Sequence, residues 1–158
     1  MSMTDVFYEL GRVNAIKLRA EAPGLTGTEI IAREVSVPAF EPGKDYTGWP
    51  VGAPVTDEGQ VWLLIQPHDA ADYDGRPSTL RALWGLTHTT DAARAKPWVD
   101  PYGTSGMYRT GECYRAEDGT VYRALRDNLV YDAAALPEAR RRWSRHPQKR
   151  TRVGWTIW

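Results

Sequence analysis

The chain of 158 residues has a single cysteine, Cys113, so no intrachain disulfide can staple it and no multi-cysteine metal site can form. A surplus of charge is also missing, since 20 basic side chains face 20 acidic ones. That balance argues against bulk binding to nucleic acid, whose phosphates select basic surfaces. No apolar run approaches the roughly 20 residues that span a bilayer, so membrane insertion is not expected. The opening Met1-Ser2-Met3-Thr4-Asp5 lacks the basic and apolar regions of a secretory leader, and export by the general secretory route is not expected either. Catalytic signatures are absent as well. His68, His88 and His146 have no spacing that puts two ligands on one face, and no Ser or Cys nucleophile motif occurs. The chain therefore reads as a non-enzyme without cofactor or metal. Asp69, Asp72 and Asp74 lack the Gly and distal Glu of a calcium loop and read as solvated carboxylates. Cys113 reads as a buried, inert thiol.

Aromatic residues are abundant instead, with seven Trp and eight Tyr, and they recur in a pattern. Gly52 and Gly111, Gly59 and Gly119, Trp62 and Tyr122, Leu64 and Ala124, and Trp84 and Trp143 each stand 59 or 60 residues apart. Two copies of one small unit follow, at about 46–84 and 108–143. In the first, strands at 51–55 and 61–65 flank a turn with Gly59 at positive φ. In the second, strands at 112–115 and 121–125 flank Asp118-Gly119. The strand at 61–65 is apolar on both faces, which predicts a cover of helix or second chain on its outer side. Trp62, Trp84, Tyr122 and Trp143 are expected in the cores.

Upstream, Thr4 is the expected N-cap of an amphipathic helix with Val6, Leu10, Val13, Ile16 and Ala20 on one face and Phe7 and Leu18 widening it, until Pro23-Gly24 stops the run. That helix serves either as a lid on the β units or as a surface for self-association. Thr26 and Glu29 have capping-box spacing, with Leu25 and Ile30 at staple positions, and predict a second short helix to about Glu34. Residues 35–43, with Pro38, Pro42 and Gly43, read as an extended linker, and residues 87–96 as a short, helix-tolerant connection. The ending is dense in Arg and Lys over 140–152 and alternates like a strand over 153–158. The expected fold is mainly β with an α-helical N-terminus and two small tandem antiparallel β modules, divided as 1–43, 44–90 and 91–158.

The stretch Gly59-Gln60-Val61-Trp62-Leu63-Leu64-Ile65-Gln66-Pro67-His68, followed by Tyr73, Pro77 and Leu83-Trp84, resembles the small chitin-binding modules of carbohydrate-binding module families five and twelve. The second copy is similar in frame, with Asp127-Asn128 near the Gln-Pro-His place and Tyr131 near the exposed aromatic. The whole arrangement, including the phrase Lys96-Pro97-Trp98-Val99-Asp100-Pro101-Tyr102-Gly103-Thr104-Ser105-Gly106-Met107-Tyr108, resembles small phage and prophage tail proteins. The resemblance implies a virion protein, tail-tip or fibre-associated, made in the bacterial host cytoplasm and binding host-surface glycan. Its ligand candidates are Tyr73 and Tyr131, with Gln66 and His68 beside the first and Trp49, Trp98 and Tyr102 as accessory platforms. Further expected partners are other tail subunits and copies of the same chain, a trimer by analogy with fibres. Modules acting only as protein contacts in the virion are the competing reading.

Overall fold

The computed structural model describes residues 1–147. The strand expected at 153–158, together with Lys149, Arg150 and Arg152, lies outside the described residues. A helical N-terminal segment precedes a three-stranded and a four-stranded β-sheet, both rich in antiparallel pairing, as the sequence leads one to expect.

Helix α1 spans Met3–Glu21. Its cap is Ser2 rather than Thr4, because Ser2 has an Asp three positions on. Ser2 Oγ accepts from Asp5 N at 3.1 Å, and the Asp5 carboxylate accepts from Ser2 N at 3.1 Å, which satisfies two otherwise orphaned donors. Helix α2 spans Gly27–Ala32 and is capped by Thr26, whose side chain accepts from Glu29 N at 3.2 Å. It stops two residues short of Glu34, where a 3-10 turn, Glu34–Ser36, takes over.

The body packs only the end of α1. Leu18 and Ala22 join Ile30, Ile31, Val37 and Val61 in one buried cluster, with Leu25 and Leu63 against it. This is the helical cover that the two-faced strand at 61–65 requires. The expected lid stripe, by contrast, is exposed at Val6, Leu10, Val13 and Ile16.

In the first sheet β1 (Pro54–Asp57), β2 (Gln60–Leu64) and β3 (Trp84–Leu86) pair antiparallel in chain order. β1 begins later than the expected 51–55. Gly52, at φ 95°, and Ala53 form the turn leading into it. Asp57 pairs with Gln60, so the hairpin turn is the two-residue Glu58-Gly59 with φ of 51° and 74°. Positive φ at both positions is the geometry that matches strand twist. The expected linker at 35–43 is itself part of the unit: Thr56 N donates to Pro38 O and Phe40 N to Thr56 O, and Phe40 enters the core.

The second sheet repeats this plan. β4 (Lys96–Pro97) runs parallel to β5 (Cys113–Arg115), which pairs antiparallel with β6 (Val121–Ala124) and then β7 (Trp143–Arg145). Each sheet closes on a box of three rings. Phe40 stacks on Tyr46 at 5.9 Å and Trp84 meets both edge-on; Trp98 stacks on Tyr108 at 4.8 Å and Trp143 meets both edge-on. Gly52 N donates to Leu64 O and Gly111 N to Ala124 O, each at 2.8 Å. The repeat therefore reaches upstream to Phe40 and Trp98.

The units are joined along the chain leaving β3. Thr87 N still donates to Val61 O in the first sheet, and two residues later Thr89 O accepts from Cys113 N in the second. Between them His88 is buried, stacked 3.6 Å from Tyr108, with Nε2–H donating to Gly106 O. Burial pushes His88 down to about 4. Burial also raises the Cys113 thiol, which keeps it protonated and unreactive.

Two stability predictions follow from these contacts. Trp84→Ala removes the centre of a ring box and should cost roughly 3–5 kcal/mol in chemical denaturation. His88 is neutral when folded and protonates more readily when unfolded, so its contribution is complete above about pH 6.5 and is lost as pH falls toward 4. The unfolding free energy from denaturant titration should decline across that window by up to about 3 kcal/mol, and His88→Gln should flatten the decline. The raised carboxyl of Glu112, also shifted by burial, acts in the opposite sense and offsets part of it.

Candidate functional site

The seven residues singled out from the sequence do not converge on one site. Tyr73 is 45% exposed and leans edge-on against His68 at 5.5 Å. His68 is buried, its Nδ1–H donates to the Gln66 carbonyl at 2.7 Å, and its ring lies against Tyr46 and Trp84. It is thus a core wedge that props Tyr73, while the Gln66 side chain stands in solvent. Tyr131 is 51% exposed, and its carbonyl accepts from Trp143 Nε1 at 3.0 Å. Tyr102 sits on an exposed turn closed by two backbone bonds to Ser105. Trp49 is half-buried, edge-on to Tyr46, with the Arg19 guanidinium 3.8 Å over its ring. It clamps α1 to the first sheet.

Trp98 differs from the other six because it lines a groove of about 780 Å³ on the second sheet. Its Nε1 donates to Asp100 Oδ1 at 2.7 Å. Beside it Tyr114 and Tyr122 stack at 5.4 Å, and Trp98 meets Tyr114 edge-on at 5.1 Å. The stacking follows from strand register, since Tyr114 on β5 and Tyr122 on β6 are directly paired. Glu117 and Asp118 of the hairpin loop and Asp132 of the loop before β7 form a polar rim. Hydrogen bonds from Thr120 hold the Asp118 carboxyl below the usual carboxylate range. The Tyr114 hydroxyl accepts from Ala133 N at 2.8 Å, and burial pushes it up to about 12. That tyrosine is a fixed wall, whereas Trp98 and Tyr122 are half-buried. An aromatic lining with a polar rim in this size range suits a small organic ligand or a sugar ring.

A second hollow of about 330 Å³ lies where α2 meets the seam between the sheets, and His88, Glu112 and Arg109 line it. Two of its polar groups are committed to internal bonds, His88 to Gly106 O and the Glu112 carboxylate to the Arg109 backbone amide at 2.6 Å. Among the described residues no three of His, Cys, Asp and Glu stand close enough to hold a metal ion.

Sequence reasoning placed Tyr122 wholly in the core and passed over Tyr114 and Asp132. The usable signal was a mismatch between the copies, Tyr114 where the first has Val55 and Tyr122 where it has Trp62. No protein-family model matches the chain, and no curated protein matches it.

His68 and Tyr73 can be separated by stability. Tyr73→Ala should change the unfolding free energy by no more than about 0.5 kcal/mol, because the ring is largely solvated, whereas His68→Ala should cost about 1–3 kcal/mol. Urea titration of the two variants reads this directly.

Proposed function

We propose that the chain is a non-enzymatic phage or prophage virion protein, tail-tip or fibre-associated, that binds host-surface polysaccharide through its β modules. The observation that carries this reading is the groove lined by Trp98, Tyr114 and Tyr122, an apolar aromatic lining with carboxylates at its edge. Sugar rings offer flat C–H faces to such platforms and hydroxyls to such rims. The exposed Tyr73 and Tyr131 give each module one further ring in solvent. Among the described residues no helix is long and apolar enough to cross a membrane.

One observation favours the assembly reading alongside it. Val6, Leu10, Val13 and Ile16 form an exposed apolar stripe on α1, joined by Phe7. A stripe of this kind is the usual seam for helix association, so copies of the chain or another tail subunit would cover it. Self-association would multiply weak sugar contacts through avidity.

A glycan-array screen of the purified protein, with sedimentation on host cell walls, tests the reading. Tyr73→Ala and Tyr131→Ala should each weaken attachment by about 1 kcal/mol per lost ring, and the double variant should lose much more than either. No glycan retained by the wild-type protein sinks the sugar reading, and a double variant that binds normally but no longer enters virions establishes the assembly role. Light scattering should report a species larger than the monomer; a monomer at high micromolar concentration removes the self-association.

A further inference from the structure

The two copies of the unit differ at the place where the groove lies. In the first, Asp57 at the end of β1 receives Arg76 in a bidentate pair, Nε and Nη2 each 2.8 Å from a carboxylate oxygen. The Asp57 side chain is 7% exposed. The pair bridges the hairpin and the loop before β3, and Trp62 next to it is sealed, its Nε1 donating to Asp57 O. Strand register gives the counterparts in the second copy. Thr56 pairs with Val61 as Arg115 pairs with Val121, so Asp57 corresponds to Ala116. Arg76 precedes Trp84 by as many residues as Ala135 precedes Trp143. Both halves of the clamp are alanine, Trp62 has become the half-buried Tyr122, and Ala116 lines the open groove.

The residues lining the open groove are acidic in excess, Glu117, Asp118 and Asp132 against Arg115. Three guanidinium groups around it are tied to the protein, Arg115 to Ala95 O at 3.3 Å, Arg140, which lies over the Tyr122 ring, to Trp143 O at 2.8 Å, and Arg145, whose charge reaches Asp118, to Thr120 Oγ1 at 3.4 Å. Glu117 carries no partner among the described residues. An aromatic floor with an anionic rim disfavours uronic or phosphate-bearing polymers and complements a cationic ring system. Resting on the glycan reading above, we propose that the lined groove belongs to the second module alone, with Tyr73 of the first only an outlying ring, and that the groove's occupant is a stretch of glycan bearing free, protonated amino groups, with a sugar ring on Trp98 beside Tyr122 and amines on the carboxylates of Glu117, Asp118 and Asp132. The first module is the same frame with that groove closed by its own ion pair.

Calorimetric titration of the full chain with a glucosamine hexamer, its fully N-acetylated counterpart and a galacturonic acid hexamer tests this at about pH 6, where an amino-sugar amine is charged. The glucosamine oligomer should bind about tenfold more tightly than the acetylated one, as two or three exposed ion pairs allow, and added salt should erode the difference. The galacturonic oligomer should not bind. The double variant Ala116→Asp/Ala135→Arg rebuilds the clamp and should abolish binding while thermal melting shows an intact fold. Glu117→Gln/Asp132→Asn keeps the side-chain shapes and should bind both glucosamine forms alike. Equal affinity of the wild type for both forms overturns the charge argument and leaves the glycan reading standing, whereas a clamp variant that folds and binds normally overturns the groove as the site. Absence of binding to every sugar, or preference for a basic or proline-rich peptide, overturns both.

Discussion

Each β unit depends on one arrangement, a tyrosine held between a stacked ring and an edge-on tryptophan. Tyr46 and Tyr108 occupy the centre of this box in the two copies, and their backbone amides also tie the entering chain to the segment after the second strand, at His68 O and Leu129 O. A unit of this size without disulfide or metal buries too little aliphatic surface to hold three or four short strands. Large rings in edge-to-face contact concentrate the burial in few residues and fix their orientation. The strands can then be as short as three residues, as Trp84–Leu86 and Trp143–Arg145 are.

The box frees the rest of each unit to diverge. In the first copy the outer face of β2 is covered by α2 and the end of α1, and the hairpin is locked to the loop before β3 by Arg76 and Asp57. In the second the same loop carries Ala133, Ala134 and Ala135, and tyrosines replace Val55 and Trp62 on the paired strands. Where the first unit has an ion pair over a sealed tryptophan, the second has two tyrosines along a groove. The frame survives because none of these positions belongs to the ring box.

The aromatic content thus serves two ends that composition alone cannot separate. Trp84 and Trp143 are structural, and Tyr114 is fixed by its hydroxyl, while Tyr73, Tyr131 and Tyr122 keep ring surface toward solvent. Trp98 does both, closing the second box with one face and flooring the groove beside it. His68 shows the opposite case. It stands in the motif that first suggested sugar binding, yet the ring is buried among Tyr46 and Trp84 and acts through Tyr73.

The features decided by neighbours a few residues apart were legible in the chain itself. The caps at Thr26 and the turns at Gly59 and Gly119 depend on local hydrogen bonds and on φ, and the repeat spacing marked both hairpins and their closing tryptophans. The cap at Ser2 was local too, but Thr4 competed for it until the reciprocal bonds with Asp5 decided. Tertiary structure settled what depends on distant partners. Phe40 left the expected linker because its backbone could pair with β1 and its ring could fill the box. The stripe on α1 stayed outside because the body offers apolar surface only to Leu18 and Ala22. The groove lies where Ala116 stands at the register position of Asp57, and there the second copy has nothing like the bridge that Asp57 and Arg76 make. The absence of one ion pair leaves no periodicity or motif to read, and only the folded register shows which position lost it.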